Sequence, residues 1–202
     1  MKDIILIGGG GHCISCIDII EQEKLYRIKG IVQKTLNDKK DILGYPVIGL
    51  DHDLKKIVKK NTNILISTGQ IKSPKVRIKL FNVAESLGAR FPKIKSPKSY
   101  CSKYSQINNG TILMHYSIVN ANVKIGKNCI INSKCLIEHD VVISDHVHVS
   151  TGAILNGGVE VGLGSFVGSG AIIKEGVKIG KNVVIGAGKI ILKNISNNKV
   201  IK

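Results

Sequence analysis

The sequence predicts two parts in one chain: an α/β domain with a small parallel sheet over residues 1–95, then a parallel β-helix over residues 96–202. Three observations support this division. Strand-like and helix-like apolar patterns alternate through the first half, as they do where helices pack on both faces of a parallel sheet. From Ile107 onward an aliphatic residue recurs at every sixth position. Four consecutive glycines, Gly8 to Gly11, stand between the first strand and the first helix.

In chain order, residues 2–7 read as a buried strand, 8–11 as a turn, and 13–24 as a helix with Ile14, Ile17 and Ile20 on one face. Residues 27–32 read as a second strand, 53–60 as a short basic helix, 63–67 as a third strand, and 73–87 as a helix that stops at Gly88. Pro92 to Pro97 reads as the connection out of this domain.

The second half follows a different period. Ile107, Leu113, Val119, Ile125, Ile131 and Ile137 open a series that runs without a miss to Ile191, fifteen hexads in all. The fifth position of the hexad is small in nearly every copy, as in Thr111, Ser117, Cys129, Cys135, Ala153 and Ser165. Glycine recurs at the second position, in Gly126, Gly162, Gly168, Gly180 and Gly186, where the sequence suggests a turn that needs φ > 0. One short strand and one turn per six residues is the signature of a parallel β-helix. Three hexads make an 18-residue coil, and the series makes five coils, with the aliphatic residues stacked inward.

Composition narrows the function. A net charge of +16 favours anionic partners, yet only Arg27, Arg77 and Arg90 are arginines, the lysines are scattered, and aromatic residues make up 4 % of the chain. Stacking platforms for bases are scarce, so nucleic acid is not expected, whereas nucleotide sugars and the phosphates of CoA suit the same field. Five cysteines, an odd and irregular set, fit a reducing compartment rather than a disulfide framework. With no apolar run near the roughly 18 residues that span a bilayer and no leader-like segment, the expected location is the cytoplasm, without membrane insertion.

Two regions carry possible chemistry. Ile137-Glu138-His139-Asp140 sets a histidine beside two carboxylates among apolar hexads. A neighbouring acid fixes an imidazole's tautomer and stabilises the imidazolium, which is what a base needs to help an amine or hydroxyl attack a thioester. Spacing alone suits a solvated polar corner as well. His139 and His148 lie half a coil apart, more than about 10 Å on sides of roughly 20 Å, so they cannot share an ion within one chain and no metal is expected. In the first half, the glycine turn leads into a helix whose N-terminal N–H groups favour an anion. The dinucleotide fingerprint is incomplete: Cys13 replaces its last glycine, and Gln33 ends the second strand where an acid would hold a ribose, which argues against NAD.

The motifs Gly8-Gly9-Gly10-Gly11-His12-Cys13, Ile66-Ser67-Thr68-Gly69-Gln70, Ile131-Asn132-Ser133, Ile137-Glu138-His139-Asp140, His146-Val147-His148-Val149 and Ile185-Gly186-Ala187-Gly188 occur in one order and spacing. In them the chain resembles the hexapeptide-repeat sugar acyltransferases with a Rossmann-like N-terminal domain, which include UDP-4-amino-sugar N-acetyltransferases and sialic acid O-acetyltransferases. The resemblance implies a left-handed coil, a homotrimer and acetyl-CoA as co-substrate. It implies His139 as general base oriented by Asp140, and Asn132 and His148 at the acetyl-CoA site. The backbone around Gly157, Ser169 and Ala187 would contact acetyl-CoA between subunits. Gly10, Gly11, His12 and Gly69 match positions that hold the acceptor's nucleotide. Gln33 and Lys34 stand where members commonly carry Asp-Asp or Asp-Asn, and the usual C-terminal Gly-x-Pro-Ala-Lys segment is absent.

The expected activity is therefore acetyl transfer from acetyl-CoA to the amino group of a nucleotide-linked amino sugar, in surface glycan biosynthesis. O-Acetylation of a sialic-acid-like sugar uses the same residues. A non-catalytic trimeric scaffold that binds sugar or CoA is the third reading, and the His139-Asp140 pair argues against it.

Overall fold

The computed structural model describes residues 1–35 and 40–202. They form two compact units, one of Met1–Gly69 with Lys75–Ile94, the other of Gln70–Pro74 with Lys95–Lys202.

The first unit contains β1 (Lys2–Ile7), α1 (Gly11–Glu23), β2 (Tyr26–Gln33), β3 (Asp41–Ile42), β4 (Tyr45–Leu50), the single-turn α2 (Leu54–Ile57), β5 (Asn63–Ile66) and α3 (Lys75–Ser86). The sheet order is β3-β4-β2-β1-β5. β1, β2, β4 and β5 are parallel as the alternating pattern requires, but β3 runs antiparallel to β4, so the sheet is mixed rather than purely parallel. The hairpin escapes a sequence reading because its two-residue turn is Leu43-Gly44, with φ of 51° and 80°. Such turns are normally announced by Asn-Gly or Asp-Gly. The basic helix expected over 53–60 shrinks to one turn because Val58 leaves it in an extended conformation and buries its side chain.

The buried residues of α1 are Cys13, Cys16, Ile17, Ile19 and Ile20, and Ile14 is exposed, which corrects the face assigned from the isoleucines alone. Burial pushes the Cys13 thiol up to about 11 and the Cys16 thiol higher still, so this pair is core and not a redox centre. Arg77 on α3 is also buried, and its guanidinium donates to the carbonyls of Ile66 (2.7 Å) and Thr68 (2.6 Å). That buried charge fixes the chain just after β5.

The second unit is a parallel β-helix of two-residue strands, from β6 (Ile94–Lys95) and β7 (Tyr100–Cys101) to β23 (Val200–Ile201). Its strands form a six-stranded, a five-stranded and a seven-stranded face, and paired strands lie one 18-residue coil apart, as in Ile118 opposite Leu136. All fifteen aliphatic residues from Ile107 to Ile191 lie in one buried core, with small fifth-position residues such as Cys129, Cys135 and Ala153 between them. The helix begins before Ile107. Residues 94–95, read as part of a connection, already pair in the seven-stranded face, and the inward register there falls on Lys95 and Cys101, which break the aliphatic signal.

The second-position glycines do not take the positive φ expected of them. The left-handed residue is the fourth of each hexad from Ile107 to Ile185, as in Asn122, Asn128, Lys134, Asp140, His146, Gly152 and Gly158. The second-position glycines answer a packing need instead. A Cβ on Gly162 would stand 2.6 Å from the Gly180 carbonyl carbon, and one on Gly168 would stand 2.5 Å from that of Gly186, so these positions let successive coils touch backbone to backbone.

Candidate active site

His139 and Asp140 occupy the corner between the six-stranded and five-stranded faces, immediately after the Leu136–Ile137 strand. Asp140 takes the left-handed corner conformation (φ 61°), which turns its short side chain back toward its neighbour. His139 Nδ1 lies 2.8 Å from Asp140 Oδ2. The hydrogen bond from His139, and after it one from Asn122, hold the Asp140 carboxyl below the ordinary carboxylate range. An ionised carboxylate only accepts, so Nδ1 carries the proton and Nε2 is left as the basic nitrogen. The second acid does not join the pair: Glu138 Oε2 accepts from Asn120 Nδ2 at 2.9 Å.

Gly157, one coil above His139, is the floor under the imidazole. A Cβ built on it would lie 2.7 Å from His139 Cε1 and 2.9 Å from Nε2. Gly157→Ala is therefore expected to push the ring off its position and lower kcat roughly tenfold or more, since small misplacements of a reacting group are costly. Unchanged kcat in steady-state assays would show that the ring does not need this floor.

Asn132 and His148 form a second cluster elsewhere on the coil. Gln70, in the Gln70–Pro74 segment, offers its carbonyl oxygen to His148 Nδ1 at 2.5 Å, so this buried imidazole also carries its proton on Nδ1. Asn132 Oδ1 accepts the Ser133 N–H at 2.8 Å, which orients its Nδ2 as donor toward His148 Nε2 at 3.2 Å. Gln70 Nε2 contacts the carbonyls of His146, Gly164 and Ser165. Ser169 and Ala187 stack one coil apart, both exposed, on the corner that follows the Asn132 column, and Gly188 donates its N–H to Ser169 O at 2.8 Å. A Cβ on Gly152, Gly170 or Gly188 along that corner would meet nothing within 4 Å. The expected residues thus fall into two groups on different corners of one chain: His139, Asp140 and Gly157 on one, and Asn132, Ser169 and Ala187 on the other, with His148 on the adjoining seven-stranded face.

In the first unit, Gly8 closes the turn against β5: with φ 117°, its Cβ would lie 2.5 Å from Thr68 N. Ser67 Oγ donates to Gly8 O at 2.7 Å. Gly69 approaches His12, with 3.5 Å between its built Cβ and the His12 Cβ. The two glycine-bearing motifs therefore meet at the carboxyl ends of β1 and β5, where the strand order reverses and ligands bind in open α/β sheets. Gly10 and Gly11 are exposed, and a Cβ on either would meet nothing. Lys34 is exposed as well. Gln33 is not presented to solvent: it is buried against Gly9.

The family model of the PglD N-terminal domain matches residues 3–84, and that of the bacterial transferase hexapeptide (six repeats) matches residues 104–139. The acetyltransferase domain of PglB from Neisseria gonorrhoeae FA1090 has the same fold at a TM-score of 0.88 and 26 % identity, over 96 % of this chain and 93 % of that one. PerB from Caulobacter crescentus, solved in complex with CoA and GDP-perosamine, gives 0.89 and 26 % over 99 % and 93 %. The chain matches the hexapeptide-repeat sugar acyltransferases in both of its parts. WeeI from Acinetobacter baumannii AYE, at 23 % identity and a TM-score of 0.86, shares the fold over 100 % of this chain and 97 % of its own. Beyond the residues named in the motifs the structure adds Asn122, Asn120 and Arg77, and it gives Gln70 a role at His148. The first two stand 18 residues before Asp140 and Glu138, one coil below, and that offset is the signal that finds them.

Proposed function

We propose that this protein transfers the acetyl group of acetyl-CoA to an amino group on a nucleotide-linked amino sugar, with His139 as general base. The observation that carries the reading is an exposed imidazole whose Nδ1 is tied to an ionised carboxylate and whose Nε2 lies over a bare glycine. The reaction joins the sugar nitrogen to the acetyl carbonyl carbon while the C–S bond breaks and CoA leaves as the thiol. His139 Nε2 takes the proton that the nitrogen gives up, Asp140 steadies the imidazolium, and the imidazolium passes that proton to the departing sulfur. PerB, with CoA and GDP-perosamine bound, supports this substrate pair.

Asn132, His148, Ser169 and Ala187 of one copy would hold acetyl-CoA against Gly157 of another, and the fit is favourable because a Cβ at Gly152, Gly170 or Gly188 would meet open space. Gly10, Gly11, His12, Gly69 and Lys34 would hold the nucleotide, with Gln33 backing the turn from its buried place against Gly9. Glycine at 10 and 11 is demanded neither by packing nor by positive φ, which suits close approach of a phosphate to the backbone.

The separation of His139 from the acetyl-CoA residues argues for a homotrimer. Both corners bound the six-stranded face, whose outward residues are Tyr100, Ile118, Leu136, Ile154, Ile172 and Ile190, apolar at every rung. The five-stranded face instead presents Gln106, Lys124, Val142, Glu160 and Lys178. A copy packed on the apolar face sets its Asn132 corner beside the neighbour's His139, and a head-to-tail contact of this kind closes as a ring. Among the described residues no helix is long and apolar enough to cross a membrane. We place the enzyme in the cytoplasm, where free thiols persist.

Mass spectrometry of reactions containing acetyl-CoA and a panel of GDP- and UDP-linked 4-amino sugars should show one acetyl group added to the nucleotide sugar and stable to mild base, as an amide is. Acetylation of free sialic acid alone, lost in mild base, would replace this reading with O-acetylation.

A further inference from the structure

We propose that Asn122 is a positioning residue for the reaction, holding Asp140 so that the carboxylate can aim His139. The inference rests on His139 being the base. Asn122 Nδ2 donates to Asp140 Oδ1 at 2.6 Å, and His139 Nδ1 donates to Asp140 Oδ2 at 2.8 Å. Both oxygens of one carboxylate are thereby used, one for anchoring and one for orienting. A carboxylate on an exposed corner otherwise turns freely about its last bond, and an imidazole tied to it would share that freedom. With Oδ1 fixed from the coil below, Oδ2 points one way, and the ring settles over Gly157.

Asparagine at a left-handed corner has a simpler explanation, since it tolerates this conformation better than most residues. Asn122 has φ 60°, and Asn128 and Asn182 sit at the same register with φ of 54° and 53°. Those two also reach the next coil, Asn128 Nδ2 to His146 Nδ1 at 2.9 Å and Asn182 Nδ2 to Asn198 Oδ1 at 3.3 Å. The fold thus has a general way of linking corners, and at one corner the residue above is the partner of the base. Among the described residues, Glu138 is engaged by Asn120, and Glu175, two coils above His139, by Lys174 at 3.8 Å. Asp140 is the carboxylate that meets the ring, and Asn122 is what meets Asp140.

Asn122→Gly keeps the backbone conformation and removes the amide. Asn122→Asp keeps the shape and places a second carboxylate beside Asp140. In the assembled enzyme, the glycine variant should lose roughly three- to tenfold in kcat while both KM values stay unchanged. An aspartate at 122 cannot donate to Asp140 Oδ1 and repels it, so that variant should lose at least as much kcat. The His139 Cε1–H resonance, assigned by its absence in His139→Ala, should change position in Asn122→Gly at fixed pH, because the ring loses its fixed aim. A purely structural role would lower Tm and leave both kcat and the resonance in place. Wild-type kcat in Asn122→Gly together with an unmoved resonance overturns the proposal. A moved resonance in a protein that acetylates nothing would leave the positioning role standing and remove the functional reading beneath it.

Discussion

His139→Ala is expected to lower kcat by roughly 10²–10⁴-fold, the usual loss when general-base help is removed, with acetyl-CoA affinity and assembly retained. The size of the loss depends on pH in a way that identifies the acceptor. An amine that is already deprotonated attacks unaided, so for an amine the gap between variant and wild type narrows as pH rises. A hydroxyl has no such escape, and for it the gap persists. Asp140→Asn should cost less, because asparagine accepts the left-handed corner and still offers an oxygen to Nδ1. The Asp140 carboxyl is depressed in the folded protein, so its stabilising contribution is present above the ordinary carboxylate range and fades only as pH falls through the lower folded value. Wild-type kcat in His139→Ala from about pH 6 to 9 would remove His139 from the mechanism.

The β-helix was legible because the first position of all fifteen hexads carries an inward aliphatic residue, and a core built by repetition leaves a periodic trace. What the sequence hides lies where one residue satisfies two demands. Lys95 and Cys101 occupy inward positions at the end of the coil without being aliphatic. Leu43 takes a turn conformation that its side chain does not advertise. Gly162 and Gly168 are required by a neighbouring backbone and not by their own φ, and a single sequence cannot distinguish the two causes. At the site, the His139-Asp140 contact was legible because the residues are adjacent. Asn122 was not, since its link to Asp140 spans a whole coil. The Gln70 carbonyl that sets the tautomer of His148 comes from 78 residues away, and backbone acceptors leave no mark on side-chain identity.

Ile172→Lys should dissolve the assembly and with it the activity. Ile172 and Ile190 are 36 % and 64 % exposed in the single chain, and Ile118 is 40 % exposed, so this face leaves out of contact what a neighbour would cover. Covering an isoleucine fully contributes about 1.5–3 kcal/mol, whereas burying an unpaired ammonium costs several kcal/mol per site, and a closed ring repeats that cost at each interface. Light scattering should give the monomer mass for Ile172→Lys and about three times that mass for the wild type. Circular dichroism should stay unchanged, because the inward residue next along the chain, Ile173, still fills the core. Acetyl transfer should fall more than 10²-fold, through loss of acetyl-CoA binding as well as of turnover, since His139 would no longer face the Asn132, Ser169 and Ala187 corner of another copy. Val142→Lys on the five-stranded face, where charged residues already stand on both sides, serves as the control and should keep both mass and activity. An Ile172→Lys protein that remains trimeric, or a monomer with full activity, would show that the two corners meet in some other way or that one chain suffices.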